Sequence, residues 1–91
     1  MVLSPAAYNK PQGLLVAVPI TSKYHQNPYQ LELPAGLHTG EGKPLAGWVY
    51  ADQIKSFDYR ERNAAFITKA PAEFIEQVLD LTLTLLDPEL A

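Results

Sequence analysis

No cysteine occurs among the 91 residues, so disulfides and thiolate metal sites are both excluded. The chain also lacks an opening basic stretch followed by an apolar one, the mark of a secretory leader. No apolar run nears the ~20 residues that a membrane-spanning helix needs. A cytoplasmic protein that makes no use of a membrane is therefore expected. Positive charge is scarce as well: ten acidic side chains outnumber seven Lys and Arg, for a formal net charge of -3. That balance argues against holding nucleic acid by bulk electrostatics and disfavours DNA binding through surface loops. A local basic cleft is still compatible with it. Five of the acids (Glu73, Glu76, Asp80, Asp87 and Glu89) fall in the final segment, and the part before it keeps five acids against seven bases.

What is present is an ordinary globular composition, 47% apolar and 19% charged, in a length that suits one domain over residues 1–91 and one modest core. The stretch from Gly47 to Arg60 organises it. Large apolar residues at Trp48, Tyr50, Ile54 and Phe57 alternate with small or polar ones, which predicts a strand, a polar turn and a second strand. The apolar set is expected to anchor a sheet, with Asp52, Gln53, Lys55, Ser56, Asp58 and Arg60 displayed along an edge or mouth.

Taken in order, Val2-Leu3-Ser4 reads as the end of a strand stopped by Pro5. The Asn, Pro and Gly punctuation from Ala6 to Gly13 predicts a loop. Leu14 to Val18 is a continuous apolar run ended by Pro19, a buried strand. Thr21 to Pro28 is polar and suits a binding loop. Tyr29 to Leu33 alternates, with Tyr29, Leu31 and Leu33 expected inward, and Pro34 to Ala46 is expected to be a long loop. A short last strand is expected over Asn63–Thr68. Pro71 then fits the first position of a helix and Glu73 favours its positive end. Phe74, Ile75, Val78, Leu79, Leu81, Leu85 and Leu86 repeat on one side, Glu76, Gln77, Asp80 and Thr84 on the other. That spacing predicts an amphipathic helix of about four turns ending near Asp87-Pro88 and packed on the open side of a sheet. The fold class expected is mainly β: a small antiparallel barrel with a C-terminal helix.

Four pieces of the chain, in order, resemble the MazF/PemK family: Val2-Leu3-Ser4-Pro5 with Tyr8-Asn9, Val18-Pro19-Ile20-Thr21-Ser22, Ala51-Asp52-Gln53-Ile54-Lys55-Ser56, and Lys69-Ala70-Pro71. The resemblance runs from Val2 to about Leu86. It implies an SH3-like barrel with a C-terminal helix, working as a homodimer. It also implies a sequence-selective endoribonuclease toxin that cuts single-stranded mRNA without a metal or other cofactor and is inhibited by a cognate antitoxin of the MazE/PemI type. The family's Gly-X-Arg-Pro-Ala run, which carries a catalytic arginine, precedes its Val-Leu-Ser-Pro strand, whereas this sequence starts at Met1-Val2. The expectation is accordingly a chain lacking the family's first strand and arginine loop, with an unpaired edge and uncovered apolar surface. The alternative is a catalytically inactive binding module that dimerises or sequesters antitoxin.

Metal-free RNA cleavage needs a base for the 2′-hydroxyl, an acid for the leaving 5′-oxygen, and donors for the charged phosphorane. Thr21 matches the family's catalytic threonine; read without the family, it caps the chain after Pro19. Ser22 beside it is a second hydroxyl donor, and Lys23 adds a charge to an RNA-binding set. His25 is either an exposed loop histidine or a group that stacks on a base or moves a proton. His38 is the same choice in the glycine loop, and two histidines 13 residues apart without cysteine make a poor metal signature. Tyr24 and Tyr29 offer aromatic faces, Tyr29 more as core. Asp52, Gln53 and Lys55 either brace the mouth of the barrel through hydrogen bonds or read base edges. Arg60 and Arg62 follow a strand and are expected to solvate its end rather than stand in for the family arginine.

Overall fold

A computed structural model describes residues 1–87 and 89. Its elements are α1 (Ala6–Gln12), β1 (Leu14–Ala17), β2 (Ile20–Thr21), β3 (Gln30–Glu32), β4 (Trp48–Tyr50), β5 (Lys55–Asp58) and α2 (Ala72–Leu86). All strand pairs are antiparallel, in two small sheets: β1 with β5, and β2-β4-β3. The late helix and the mainly antiparallel architecture are as the sequence predicts.

The central stretch forms its strand, turn and strand, yet β4 and β5 do not form a hairpin. They part at the turn and enter different sheets. The inward set is also the other one. Val49 and Ala51 are fully buried, Trp48 and Tyr50 half-buried, and Ile54 exposed. Side chains alternate with period two, so turning Val49 inward places both large aromatics on the opposite face.

The core gathers Val18, Leu33, Val49, Ala51, Phe74 and Val78, which joins the end of β1, the β2-β4-β3 sheet and α2. Helix α2 packs on the sheet as expected, but its buried row is Phe74, Val78 and Thr82, while Leu79, Leu83, Leu85 and Leu86 are exposed. Thr82 enters the core because its hydroxyl has partners there: Oγ1 lies 3.0 Å from the Ala51 carbonyl oxygen and 2.9 Å from that of Val78, sharing one proton between them. Pro71 sits one residue before the first helical position, as the N-cap, and its carbonyl accepts from the Phe74 and Ile75 N–H groups. The helix ends at Leu86 with Asp87 as its cap; Pro88, part of the predicted stop, lies outside the described residues.

Two further expectations are corrected, and the long loop is borne out. Residues 6–12 are a helix rather than a loop. The punctuation residues cap it: the Pro5 carbonyl accepts from Tyr8 and Asn9, the Asn9 side chain exchanges hydrogen bonds with Ser4, and Gly13 stops the helix in a left-handed conformation at φ 68°. Ser4 Oγ in turn accepts from the Val16 N–H, fastening α1 to β1. The 34–46 segment is the expected loop, folded back on itself with Leu45 N–H donating to Leu37 O and Thr39 N–H to Lys43 O. Asn63–Thr68 forms no strand, and Phe66 is 84% exposed. Before α1, Val2 bridges Ala17 on the free side of β1, so the strand end read in Val2–Ser4 is real. Val2, Ile20, Phe66 and Ile67 stand exposed around an apolar cleft of about 400 Å³.

Candidate functional site

The register of the three-stranded sheet assembles one row of side chains. Thr21 in β2 is opposite Trp48 in β4, which is opposite Glu32 in β3. Directly paired residues in antiparallel strands share a face, so hydroxyl, indole and carboxylate stand side by side. The next row on the same face holds Tyr50 and Gln30, which are also paired.

The Thr21–Pro28 segment folds over this face. Tyr24 stacks on Trp48 with centroids 4.3 Å apart at 25°, and His25 lies over Tyr50 at 6.1 Å and 22°. One buried side chain pins the segment: Gln30 Oε1 accepts from the His25 N–H at 2.8 Å, and its Nε2 donates to the Lys23 carbonyl at 3.1 Å. The inward set expected for Tyr29–Leu33 holds on the core face, where Leu33 is buried and Leu31 packs against it, while Gln30 is buried on the opposite face, under the loop. Gln30 is the most buried residue of its strand and Leu31 only half-buried, since the amide is the one group there that can satisfy the loop's backbone. A second contact fixes Thr21 from below. Gly47 has φ +146°, and a Cβ on it would stand 2.5 Å from the Thr21 carbonyl oxygen, a separation that only glycine permits.

Thr21 Oγ1 accepts from the Lys23 N–H at 3.2 Å, so it does cap its own turn. The same geometry leaves its proton free to donate, and the two roles are compatible. Ser22, Lys23 and His25 are exposed on the same turn. Asp52, Gln53 and Lys55 are not brought to it. Asp52 and Gln53 form the turn beyond Tyr50, at the other end of β4 from the Thr21–Trp48 pair, and Lys55 pairs with Ala17 in the second sheet. The bracing expected of these three is absent: their side chains make no hydrogen bond or ion pair among the described residues, and Lys55 Nζ instead lies 5.5 Å from the Phe57 ring centre. The β1–β5 register sets Lys55 opposite Ala17 and Asp58 opposite Leu14. Arg60 and Arg62 therefore lie past the Leu14 end, roughly 10 Å or more along the sheet from the end that leads to Thr21. They cover Tyr59 and Phe57 respectively.

Beside the row opens a cleft of about 510 Å³ whose walls include Ser22, Glu32, Pro34, His38, Leu45 and Trp48. Trp48, Glu32 and Gln30 were missed as site residues because the sequence shows the alternation of β3 and β4 without showing which face turns out. Among the described residues no three His, Asp or Glu side chains converge to hold a metal ion, and no helix is long and apolar enough to cross a membrane.

Residues 1–85 match the model of a family described as PemK-like, MazF-like toxin of type II toxin-antitoxin system. Among solved structures the chain is similar to a MazE–MazF crystal structure from Deinococcus radiodurans, with 40% identity and a TM-score of 0.84, covering 94% of this chain and 81% of that one. It is similar also to MazF of the same organism, with 41% identity and a TM-score of 0.84, covering 94% and 73%. No curated protein sequence matches.

Proposed function

The chain belongs to the family of PemK-like, MazF-like toxins of type II toxin–antitoxin systems, and from that premise we propose that it is a sequence-selective endoribonuclease cutting single-stranded mRNA without a metal. The observation that carries the reading is the Thr21 turn. The family's catalytic threonine falls on a residue that Gly47 and Trp48 hold in place and whose hydroxyl proton is free. In the reaction, a base takes the proton of the RNA 2′-hydroxyl, the 2′-oxygen attacks the adjacent phosphorus, the bond to the 5′-oxygen breaks, and the 5′-oxygen takes up a proton. The products are a cyclic phosphate and a free 5′-hydroxyl. Thr21 donates to a phosphate oxygen as charge builds on it, Ser22 and Lys23 hold the flanking backbone, and His25 sits where a proton or a base can be met. Asp52, Gln53 and Lys55 contact RNA further along the strand.

The relatives crystallised as MazE–MazF complexes support an antitoxin of the MazE/PemI type as this chain's partner. We take the working form to be a cytoplasmic homodimer, with residues 1–91 belonging to one domain. Cleavage of a long single-stranded RNA in excess chelator tests the reading, with this chain and a form carrying the upstream Arg-Pro-Ala run side by side. Thr21→Ala is expected to slow cleavage by ~10²–10³. Cleavage that persists in the variant sinks the role of Thr21. No cleavage by either form, with tight binding of an antitoxin peptide, establishes the inactive binding module instead.

A further inference from the structure

The cleft beside Thr21 has a chemistry that the proposed reaction does not use. Its walls carry one carboxylate, Glu32, one imidazole, His38, one hydroxyl, Ser22, and the indole of Trp48, and no Lys or Arg lines it among the described residues. Glu32 is exposed, and its carboxylate makes no hydrogen bond or ion pair among the described residues. His38 Nδ1 lies 2.9 Å from the Gly36 carbonyl oxygen. A carbonyl only accepts, so Nδ1 carries a proton, and it is the uncharged form of the ring that has Nε2 as an acceptor. The cleft thus offers a surplus of acceptors beside an aromatic wall. Such a lining repels a phosphate and suits a flat group with donors on its edge. At about 510 Å³ its volume lies inside the range of roughly 300–1,000 Å³ common for small-ligand pockets.

We propose that this cleft seats one base of the RNA next to the scissile phosphate, and that Glu32 makes guanine the preferred base. The inference rests on the endoribonuclease reading and adds a determinant of its specificity. Guanine alone among the four bases has two adjacent donors, N1–H and the N2 amino group, on its pairing edge, and a carboxylate accepts both at once. Uracil presents a single donor between two carbonyls, which the carboxylate repels. The sheet register supplies the positioning: Glu32 and Thr21 flank Trp48 in one row, two strand spacings apart, which is about 10 Å. That span separates a phosphate from the far edge of its own base. Trp48, already stacked with Tyr24, gives the base an aromatic surface, as single-stranded RNA readers commonly do.

Trp48 is the sole tryptophan, so its emission reports occupancy of the cleft. The chain, and Glu32→Gln, are titrated with short 2′-O-methyl oligouridines that bear no other base, one central guanine, or one central adenine. The 2′-O-methyl group blocks attack, so binding is read without cleavage. The guanine oligomer is expected to shift Trp48 emission and bind about tenfold or more tightly than oligouridine, in line with a two-bond contact. In Glu32→Gln that ratio falls towards one, while oligouridine binding is kept or strengthened by the lost negative charge. Equal affinity for guanine and uridine oligomers, an unchanged ratio in Glu32→Gln, or adenine bound as well as guanine overturns the guanine seat and leaves the endoribonuclease reading standing. Failure of every oligomer to bind overturns both.

Discussion

At the scale of single residues, the position with the least freedom is Gly47. A methyl group there meets the Thr21 carbonyl at 2.5 Å and leaves the backbone at φ +146°, a region that side chains rarely adopt. Gly47→Ala is expected to cost about 1–3 kcal/mol, read from the denaturant midpoint at unchanged slope, and to lower cleavage beyond what that loss explains, because Thr21 moves with the strain. Thr82 is the second such position. Thr82→Val keeps the shape and removes the hydroxyl, leaving the Ala51 carbonyl without a donor, for about 1–3 kcal/mol. Thr82→Ser restores the bond and recovers most of that loss. A midpoint for Thr82→Val equal to the parent's would show that the hydroxyl is spent on Val78 alone. Neither position was legible in the sequence. Gly47 reads there only as the opening residue of the central stretch, and Thr82 falls on neither face of the predicted helix, since what each does depends on a carbonyl brought from elsewhere in the chain.

At the scale of elements, the sequence was clearest where one segment carries its own signal. The β1 run, the β4-turn-β5 pattern and the 15-residue α2 stand within a residue or two of their expected bounds. It was least clear where the partner decides. Trp48 and Tyr50 look like core by size, yet Val49 and Ala51 fit the space under α2, and the aromatics become the floor of the candidate site. Asn9, Pro11 and Gly13 look like loop punctuation, yet Ser4 and Pro5 turn them into a capped helix. Of the candidate site residues, Thr21, Ser22, Lys23 and His25 do share one turn, whereas Asp52, Gln53 and Lys55 are carried away from it by the crossing between sheets. The 21–28 loop itself depends on Gln30. Gln30→Leu strips the partners from the His25 N–H and the Lys23 carbonyl. Hydrogen exchange at the His25 amide is expected to accelerate markedly while the amides of α2 keep their protection, and RNA cleavage falls with the loop's order. Equal protection at His25 in the variant would rule out the pin.

At the scale of the whole molecule, pairings between distant segments dominate. Leu14 pairs with Asp58 and Ile20 with Val49, so loop closure must precede most of the reward. Refolding is expected in the millisecond-to-second range rather than in microseconds, as a stopped-flow trace of Trp48 emission would report. A microsecond phase carrying the full amplitude would contradict it. This wiring also bears on synthesis. While a ribosome is still making the chain, β2 has no partner until β4 emerges, and β1 has only the Val2–Ser4 segment until β5 does. The Thr21 turn therefore stays unassembled until β4 is outside the exit tunnel. On the endoribonuclease reading, a nascent chain of this topology cannot cut the message it is being read from, and an antitoxin has the interval of synthesis in which to be waiting.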